Sequence, residues 1–210
     1  MRTLPMGPLG ANCYLWTNGE NAFAVDPSDA QATLAALEKT GAVLTDILLT
    51  HRHFDHVAGV AALKAATGCR VWMHPLDADG LRDARASLAL LHGLPFTPTE
   101  PTDLVHDGDE IAPAGVPVRV LHTPGHTAGG VTYVLDAERL AFTGDTLFCE
   151  SFGRTDFPGG SLRDLRRSIE RIVALPPDYR LYPGHEEPTT VGHERRYNPI
   201  LQIRSNPWFN

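Results

Sequence analysis

A chain of 210 residues, 42% of them hydrophobic, is long enough to bury a sizeable core and is expected to form one domain over residues 1–210. Its formal net charge of −7 argues against a nucleic-acid partner, whose binders carry a basic face. No stretch is apolar enough for a signal peptide or a membrane span, so a cytoplasmic protein without membrane contact is expected. Cys13, Cys69 and Cys149 are odd in number and widely spaced, which suggests buried thiols rather than a disulfide framework.

Taken in order, the chain opens with three short apolar segments, Arg2 to Pro5, Cys13 to Trp16 and Phe23 to Val25. Turn signals at Gly7-Pro8, Gly10 and Asn18-Gly19 separate them, and an antiparallel meander is predicted. A helix follows over Asp29 to Thr40, stopped by Gly41, and then a buried strand over 44–49. The Ala-rich stretch from Val57 to Thr67 reads as a second helix, and Arg70 to Met73 as a strand. Asp77 to His92 has helical character and leads into a Pro-rich turn, Pro95 to Pro101; the pair reads as an insertion bordering a cleft. Strands resume at Val116–Leu121, Gly130–Leu135 and Arg139–Phe142. A last helix begins at Ser161, where Ser161-x-x-Asp164 forms a capping box, and a final strand covers Arg180 to Tyr182. Arg163, Arg166, Arg167 and Arg171 share that helix with Asp164 and Glu170 and read as a solvated face.

The densest chemistry lies in Thr50-His51-Arg52-His53-Phe54-Asp55-His56, on a strand-to-helix loop. Three imidazoles and one carboxylate within six residues suit a borderline-soft divalent cation such as zinc, or iron. His126, Asp145 and His185 each follow an apolar strand and a Gly-containing turn, the way a rigid sheet presents ligands from several loops. Phe23 to Asp26 weakly echoes Ala141 to Asp145, which suggests two β/α halves converging on a shared edge. His74 and His122 are candidates for hydrogen-bonded neighbours of the site.

In this order, the histidine motif with His126, Asp145 and His185 resembles the metallo-β-lactamase fold superfamily across nearly the whole chain. The resemblance implies a four-layer αββα sandwich with two metal ions at one edge, most simply Zn2+, with iron as the alternative. It assigns His51, His53 and His126 to one ion, Asp55, His56 and His185 to the other, and Asp145 as the bridge. The sequence Gly153-Arg154-Thr155-Asp156-Phe157-Pro158-Gly159-Gly160, with Glu194 to Pro199, resembles the glyoxalase II-like (hydroxyacylglutathione hydrolase-like) branch in its short bacterial form. On this reading the C-terminal helical substrate domain of the full-length members of that branch is not expected within the 210 residues.

What this implies is a hydrolase of a small-molecule thiolester that uses a metal-bridged hydroxide. Asp55 would orient the nucleophile, Asp145 would hold the ions and Arg154 would meet the substrate; Arg154 and Arg195 also have purely structural readings. Two rivals are open: a persulfide dioxygenase with iron on His51, His126 and Asp145, and a metal-stabilised binding module.

Overall fold

The computed structural model describes residues 1–7 and 9–202, so Pro8 of the Gly7-Pro8 turn signal lies outside the described residues. The meander forms as β1 (Arg2–Met6), β2 (Ala11–Thr17) and β3 (Asn21–Val25), antiparallel throughout. The Asn18 side chain closes the β2–β3 turn, accepting from the backbone N–H of Glu20 and Asn21 at 3.1 and 2.8 Å. Helix α1 (Ala30–Glu38) then returns the chain to β4 (Val43–Leu48); Asp29 caps it, accepting from Ala32 N–H at 3.0 Å. Helices α2 (Phe54–Val57) and α3 (Val60–Thr67) lead to β5 (Arg70–Met73), and a two-residue β6 (Asp103–Leu104) completes a six-stranded sheet in simple sequential order.

The second sheet holds β7 (Glu110–Ile111), β8 (Val118–His122), β9 (Val131–Leu135) and β10 (Leu140–Gly144). After the small hairpin β11 (Leu147–Phe148) and β12 (Ser151–Phe152), helix α4 (Leu162–Ile172) crosses back to β13 (Arg180–Pro183) and β14 (Thr189–Thr190). The sheet order is β14-β13-β10-β9-β8-β7, with β13 parallel to β10. Helices α5 (Val191–Tyr197) and α6 (Pro199–Gln202) follow.

Strand alternation decides the layers, because successive side chains point to opposite faces. Tyr14, Phe23, Val25 and Leu48 of the first sheet meet Val120, Tyr133, Leu135 and Phe142 of the second in one core between the sheets. The opposite face of the first sheet, with Leu15, Ala24 and Ile47, packs on Leu37, Val60 and Leu63 of α1 and α3. That of the second, with Val134, Ala141 and Leu181, packs on Leu165, Ile169 and Ile172 of α4. The four-layer αββα sandwich expected from the sequence is therefore formed.

Two local expectations are corrected. Asp77 to His92 is not a helix: a 3₁₀ turn covers Pro75–Leu81, and turns and bends follow it. The buried side chain of Asp77 is engaged across the fold, and Leu88 adopts φ +67°, a left-handed value that interrupts any helix. Ser161 does cap α4, accepting from Asp164 N–H at 3.2 Å, but its own N–H goes to Gly125 O at 2.8 Å, so the reciprocal half of the capping box is not made. That bond ties α4 to the His126 loop. Three of the arginines of α4 are paired on its solvated face, Arg166 with Glu170 at 3.1 Å, Arg167 with Asp164 at 3.7 Å and Arg171 with Asp107 at 2.8 Å.

Candidate metal centre

The carboxyl ends of β3, β4, β10 and β13 and the loop after β8 converge on one edge of the sandwich. His51 and His53 leave the end of β4, Asp55 and His56 lie on α2, His126 follows β8, Asp145 follows β10 and His185 follows β13. All seven residues foreseen as ligands come together. His51, His53 and His126 offer nitrogens within 4.8 Å of one another, and so do the donor atoms of Asp55, His56 and His185. Asp145 lies between the groups: its Oδ1 is 3.4 Å from His56 Nε2, and its Oδ2 is 3.6 Å from both His126 Nε2 and His185 Nε2.

Backbone geometry makes this approach feasible. Gly144 turns the chain at φ +51° just before Asp145, and a Cβ there would strike the Thr50 side chain. At Gly184 a Cβ would overlap the Asp145 carboxylate, so only glycine lets β13 deliver His185 beside it.

The hydrogen bonds fix which nitrogen each ring presents. Thr50 donates its hydroxyl to Asp26 Oδ2 at 2.5 Å, so toward His51 it can only accept, and His51 Nδ1–H donates to it at 3.1 Å. His56 Nδ1–H donates to Asp26 Oδ2 at 3.1 Å, and His126 Nδ1–H to the Arg154 carbonyl at 2.8 Å. All three rings therefore turn Nε2 inward, with the other nitrogen held by the protein as in carboxylate–histidine–metal arrangements. His53 presents Nδ1, 2.8 Å from His126 Nε2.

Burial pushes His51 well below the ordinary imidazole pKa, helped by His56, His126 and His53. It lowers His53 to about 2, with His126 and His56 adding to the effect. Both rings are thus neutral, the form that ligates. Burial also opposes the charged form of His56, yet Asp145, Asp26 and Asp55 outweigh it and raise that ring to about 10. His185 is raised too, since its hydrogen bond to Asp55 and the charge of Asp145 overcome burial. Asp55 lies well below the carboxylate range because His185 and His56 together exceed its own desolvation. The second group is thus an acidic pocket that holds protons where a cation would replace them.

The donor set also passes a direct test of fit. His51 Nε2 and Asp145 Oδ1 are buried and have no hydrogen-bond partner among the described residues. Orphaned buried polar atoms are costly, at about 1–3 kcal/mol each, unless something absent from the chain itself satisfies them. A divalent cation does so for both, and the N/O donors are those zinc or iron takes.

Several contributors were not foreseen as part of the site. Asp26, 1% exposed, orients both Thr50 and His56; the echo of Phe23–Asp26 in Ala141–Asp145 was the available signal, because the two echoed aspartates flank opposite nitrogens of His56. Asp77, 0% exposed, accepts from Arg52 N–H at 3.1 Å, Thr127 Oγ1–H at 2.6 Å and Gly129 N–H at 2.8 Å, joining the His53 loop to the His126 loop. Arg52 donates to the Pro158 carbonyl at 2.6 Å and to Asp79 at 3.1 Å, anchoring the Gly-rich loop.

The cleft over the donors encloses about 420 Å³ and is also lined by Leu9, Phe54, Leu88, His92, Phe148, Arg154 and Phe157. The 75–101 segment does border a cleft, as expected. Arg154 pairs with Asp156 at 2.6 Å and lies over the Phe157 ring at 4.0 Å. Arg195 is remote from the cleft: it donates to the carbonyls of Val173 and Leu175 at 2.5 and 2.7 Å, closing the C-terminus of α4.

Of the histidines held in reserve, His74 and His122 stack on each other with centroids 4.2 Å apart and touch none of the donors. His122 Nε2 lies 2.9 Å from the Ala128 carbonyl. Cys149 faces a different depression, lined by Glu150, Glu186 and Glu187. It lies near His193 and Glu194, but the Glu194 carboxylate already accepts from Thr189, Asn198 and the Glu150 N–H, so that trio is a structural knot.

Comparison with known proteins agrees with this geometry. The profile of the metallo-beta-lactamase superfamily matches residues 6–185. The hydroxyacylglutathione hydrolase GloC of Haemophilus influenzae is 34% identical over 96% of this chain and 98% of its own length. Among solved structures, BLEG-1, described as a B3 metallo-beta-lactamase, superposes with a TM-score of 0.90 at 34% identity, covering 95% of this chain and 98% of that one. A di-iron-bound form of TTHA1623 gives 0.87 at 38% identity and 96% and 100% coverage. ETHE1 from Myxococcus xanthus gives 0.80 at 27% identity and 99% and 87% coverage.

Proposed function

The chain belongs to the metallo-beta-lactamase superfamily, and from that premise we propose that it is a glyoxalase II-like hydrolase of a small-molecule thiolester. The observation that carries this reading is the complete double donor set: three inward nitrogens, a second Asp-His-His group and Asp145 between them. In this proposal His51, His53 and His126 would hold one divalent ion and Asp55, His56 and His185 a second, with Asp145 available to both groups; zinc is the preferred metal and iron the alternative. Ions bound there supply Lewis acidity, acidifying a water and polarising a carbonyl.

The remaining roles belong to the chain's own residues. The apolar walls formed by Leu9, Phe54, Leu88 and Phe157 restrict water around the scissile carbonyl. Asp55, held well below the carboxylate range by His185 and His56, would orient the nucleophilic water by accepting a hydrogen bond from it. Arg154, at the cleft wall and paired with Asp156, is the guanidinium placed to meet an anionic thiol moiety by exchanging that carboxylate for the substrate's. A thiolate leaves without a strong general acid because its conjugate acid has a pKa of only about 8.5.

A second reading has a specific observation in its favour. Of the four buried side-chain atoms without hydrogen-bond partners among the described residues, two, His51 Nε2 and Asp145 Oδ1, belong to the trio His51, His126 and Asp145 that would hold a single iron in a persulfide dioxygenase. The deciding experiment measures metal content alongside three assays: cleavage of a hydroxyacyl-glutathione thiolester, oxygen uptake with glutathione persulfide, and opening of a chromogenic β-lactam. Two metals per chain with thiolester cleavage are expected. One iron with oxygen uptake and no cleavage would establish the dioxygenase, and β-lactam opening alone would overturn both.

A further inference from the structure

A second cavity, of about 170 Å³, adjoins the metal-site cleft and shares Phe54 and Asp55 with it as walls. Its other walls are Val57 and Ala58 at the end of α2, Leu81 and Ala89 of the 75–101 segment, and Leu94 to Phe96 beyond them. Hydrogen bonds hold these walls apart: Phe54 N–H donates to Ser87 O at 2.8 Å, Leu94 N–H to Ala89 O at 3.0 Å and Thr99 N–H to Leu81 O at 2.8 Å. Backbone pairing thus fixes the walls relative to one another.

Its chemistry is that of a hydrocarbon site with one polar contact. Apart from Asp55 on the shared wall, its polar side chains are Ser28, Thr97 and Thr99, and Ser28 Oγ is buried without a hydrogen-bond partner among the described residues. An apolar cavity of roughly 150 Å³ excludes water and takes up benzene, so a group of about six carbons fits this one.

We infer that the chamber receives an apolar acyl side chain, aryl or branched alkyl, of the thiolester whose scissile carbonyl lies at the metal centre. The inference rests on the thiolester reading and deepens it: the substrate class becomes thiolesters of apolar carboxylic acids. Adjacency carries the assignment: Phe54 and Asp55 belong to both linings, so the chamber lies on the other side of the wall that faces the donors, within reach of the acyl substituent of a thiolester whose carbonyl is there.

The test compares kcat/KM for the acetyl and 4-methylpentanoyl thiolesters of one thiol, glutathione, in the wild type and in Ala58→Phe, an exposed position that adds a ring to the chamber wall. Each methylene removed from water is worth roughly fourfold, so a preference of at least about tenfold for the longer acyl group is expected. Ala58→Phe should abolish that preference while acetyl turnover is kept, and Phe96→Ala, which enlarges the chamber, should favour longer acyl groups still. A wild-type ratio near one, or an Ala58→Phe loss equal for both substrates, overturns the inference. Calorimetric titration with 4-methylpentanoate separates this failure from that of the hydrolase reading: binding by the wild type and not by Ala58→Phe, with neither thiolester cleaved, keeps the chamber and removes the hydrolase, whereas no binding removes the chamber.

Discussion

Replacing Asp77 by Asn probes how the two histidine loops are held at their spacing. The carboxylate is fully buried and accepts three hydrogen bonds, from Arg52 N–H, Thr127 Oγ1–H and Gly129 N–H. Two of them, from Arg52 and Thr127, fall on Oδ2, and one, from Gly129, on Oδ1. An amide in the same place accepts at one end only, so either one or two donors face an NH2 group. At about 1–3 kcal/mol for each buried donor left unpaired, the cost is roughly 1–3 kcal/mol when the amide oxygen keeps Arg52 and Thr127 and only Gly129 is lost, a sizeable fraction of the stability of an ordinary domain.

The same change loosens the His53 loop against the His126 loop, and an outer partner of this kind is worth about 10–100-fold in metal affinity. The pH dependence has a definite sign. Burial raises the Asp77 pKa above its ordinary value of 3.8 more than Thr127, Arg52 and Gly129 lower it. Between 3.8 and the raised value the folded chain therefore binds more protons than the unfolded one, and this residue's contribution to stability falls as pH rises through that window. The wild-type-minus-variant difference in urea unfolding free energy, measured on metal-free protein from pH 4 upward, should shrink with rising pH over the same window. Variant stability within about 0.5 kcal/mol of the wild type, or unchanged affinity in a chelator competition, would refute the reasoning.

Other expectations follow from the same geometry. Asp26→Asn, which alters the acceptor of His56 Nδ1–H, should weaken metal binding about 10–100-fold with the fold intact by circular dichroism; unchanged affinity would mean that His56 needs no orientation. Arg195→Ala removes two charge-assisted bonds at the end of α4 and should cost about 1.5–3 kcal/mol without moving KM, whereas a raised KM would return it to the substrate site. Arg154→Ala should raise KM with kcat kept, and lower stability with unchanged kinetics would reduce the Arg154–Asp156 pair to a loop clasp. In the native protein an alkylating thiol probe should label Cys149 and spare Cys13 and Cys69, which are 0% and 3% exposed; rapid labelling of Cys13 would contradict the core placement of β2.

The sequence by itself pointed to the candidate donor residues and to most of the strands and helices. The cluster from His51 to His56, and single histidines or an aspartate after apolar strands, carry their chemistry in residue type; periodicity placed most strands and helices, and the αββα arrangement was implied by the family resemblance and is formed by the two packed sheets. Tertiary structure alone decided what holds those candidate donors in place. Asp26 is 30 residues from His56, and Asp77 is 50 from Thr127, so neither bond has a local signature. The segment after Leu81 has helical composition, but the Asp77 carboxylate and the backbone bonds of Ser87, Ala89 and Leu81 are engaged elsewhere, and tertiary hydrogen bonds override a weak propensity. Arg195 and Arg154, both arginines in motif-like surroundings, part company for the same reason. The first finds two helix-end carbonyls and the second lies at the cleft wall, and only the packing of α4 and of the Gly-rich loop assigns them.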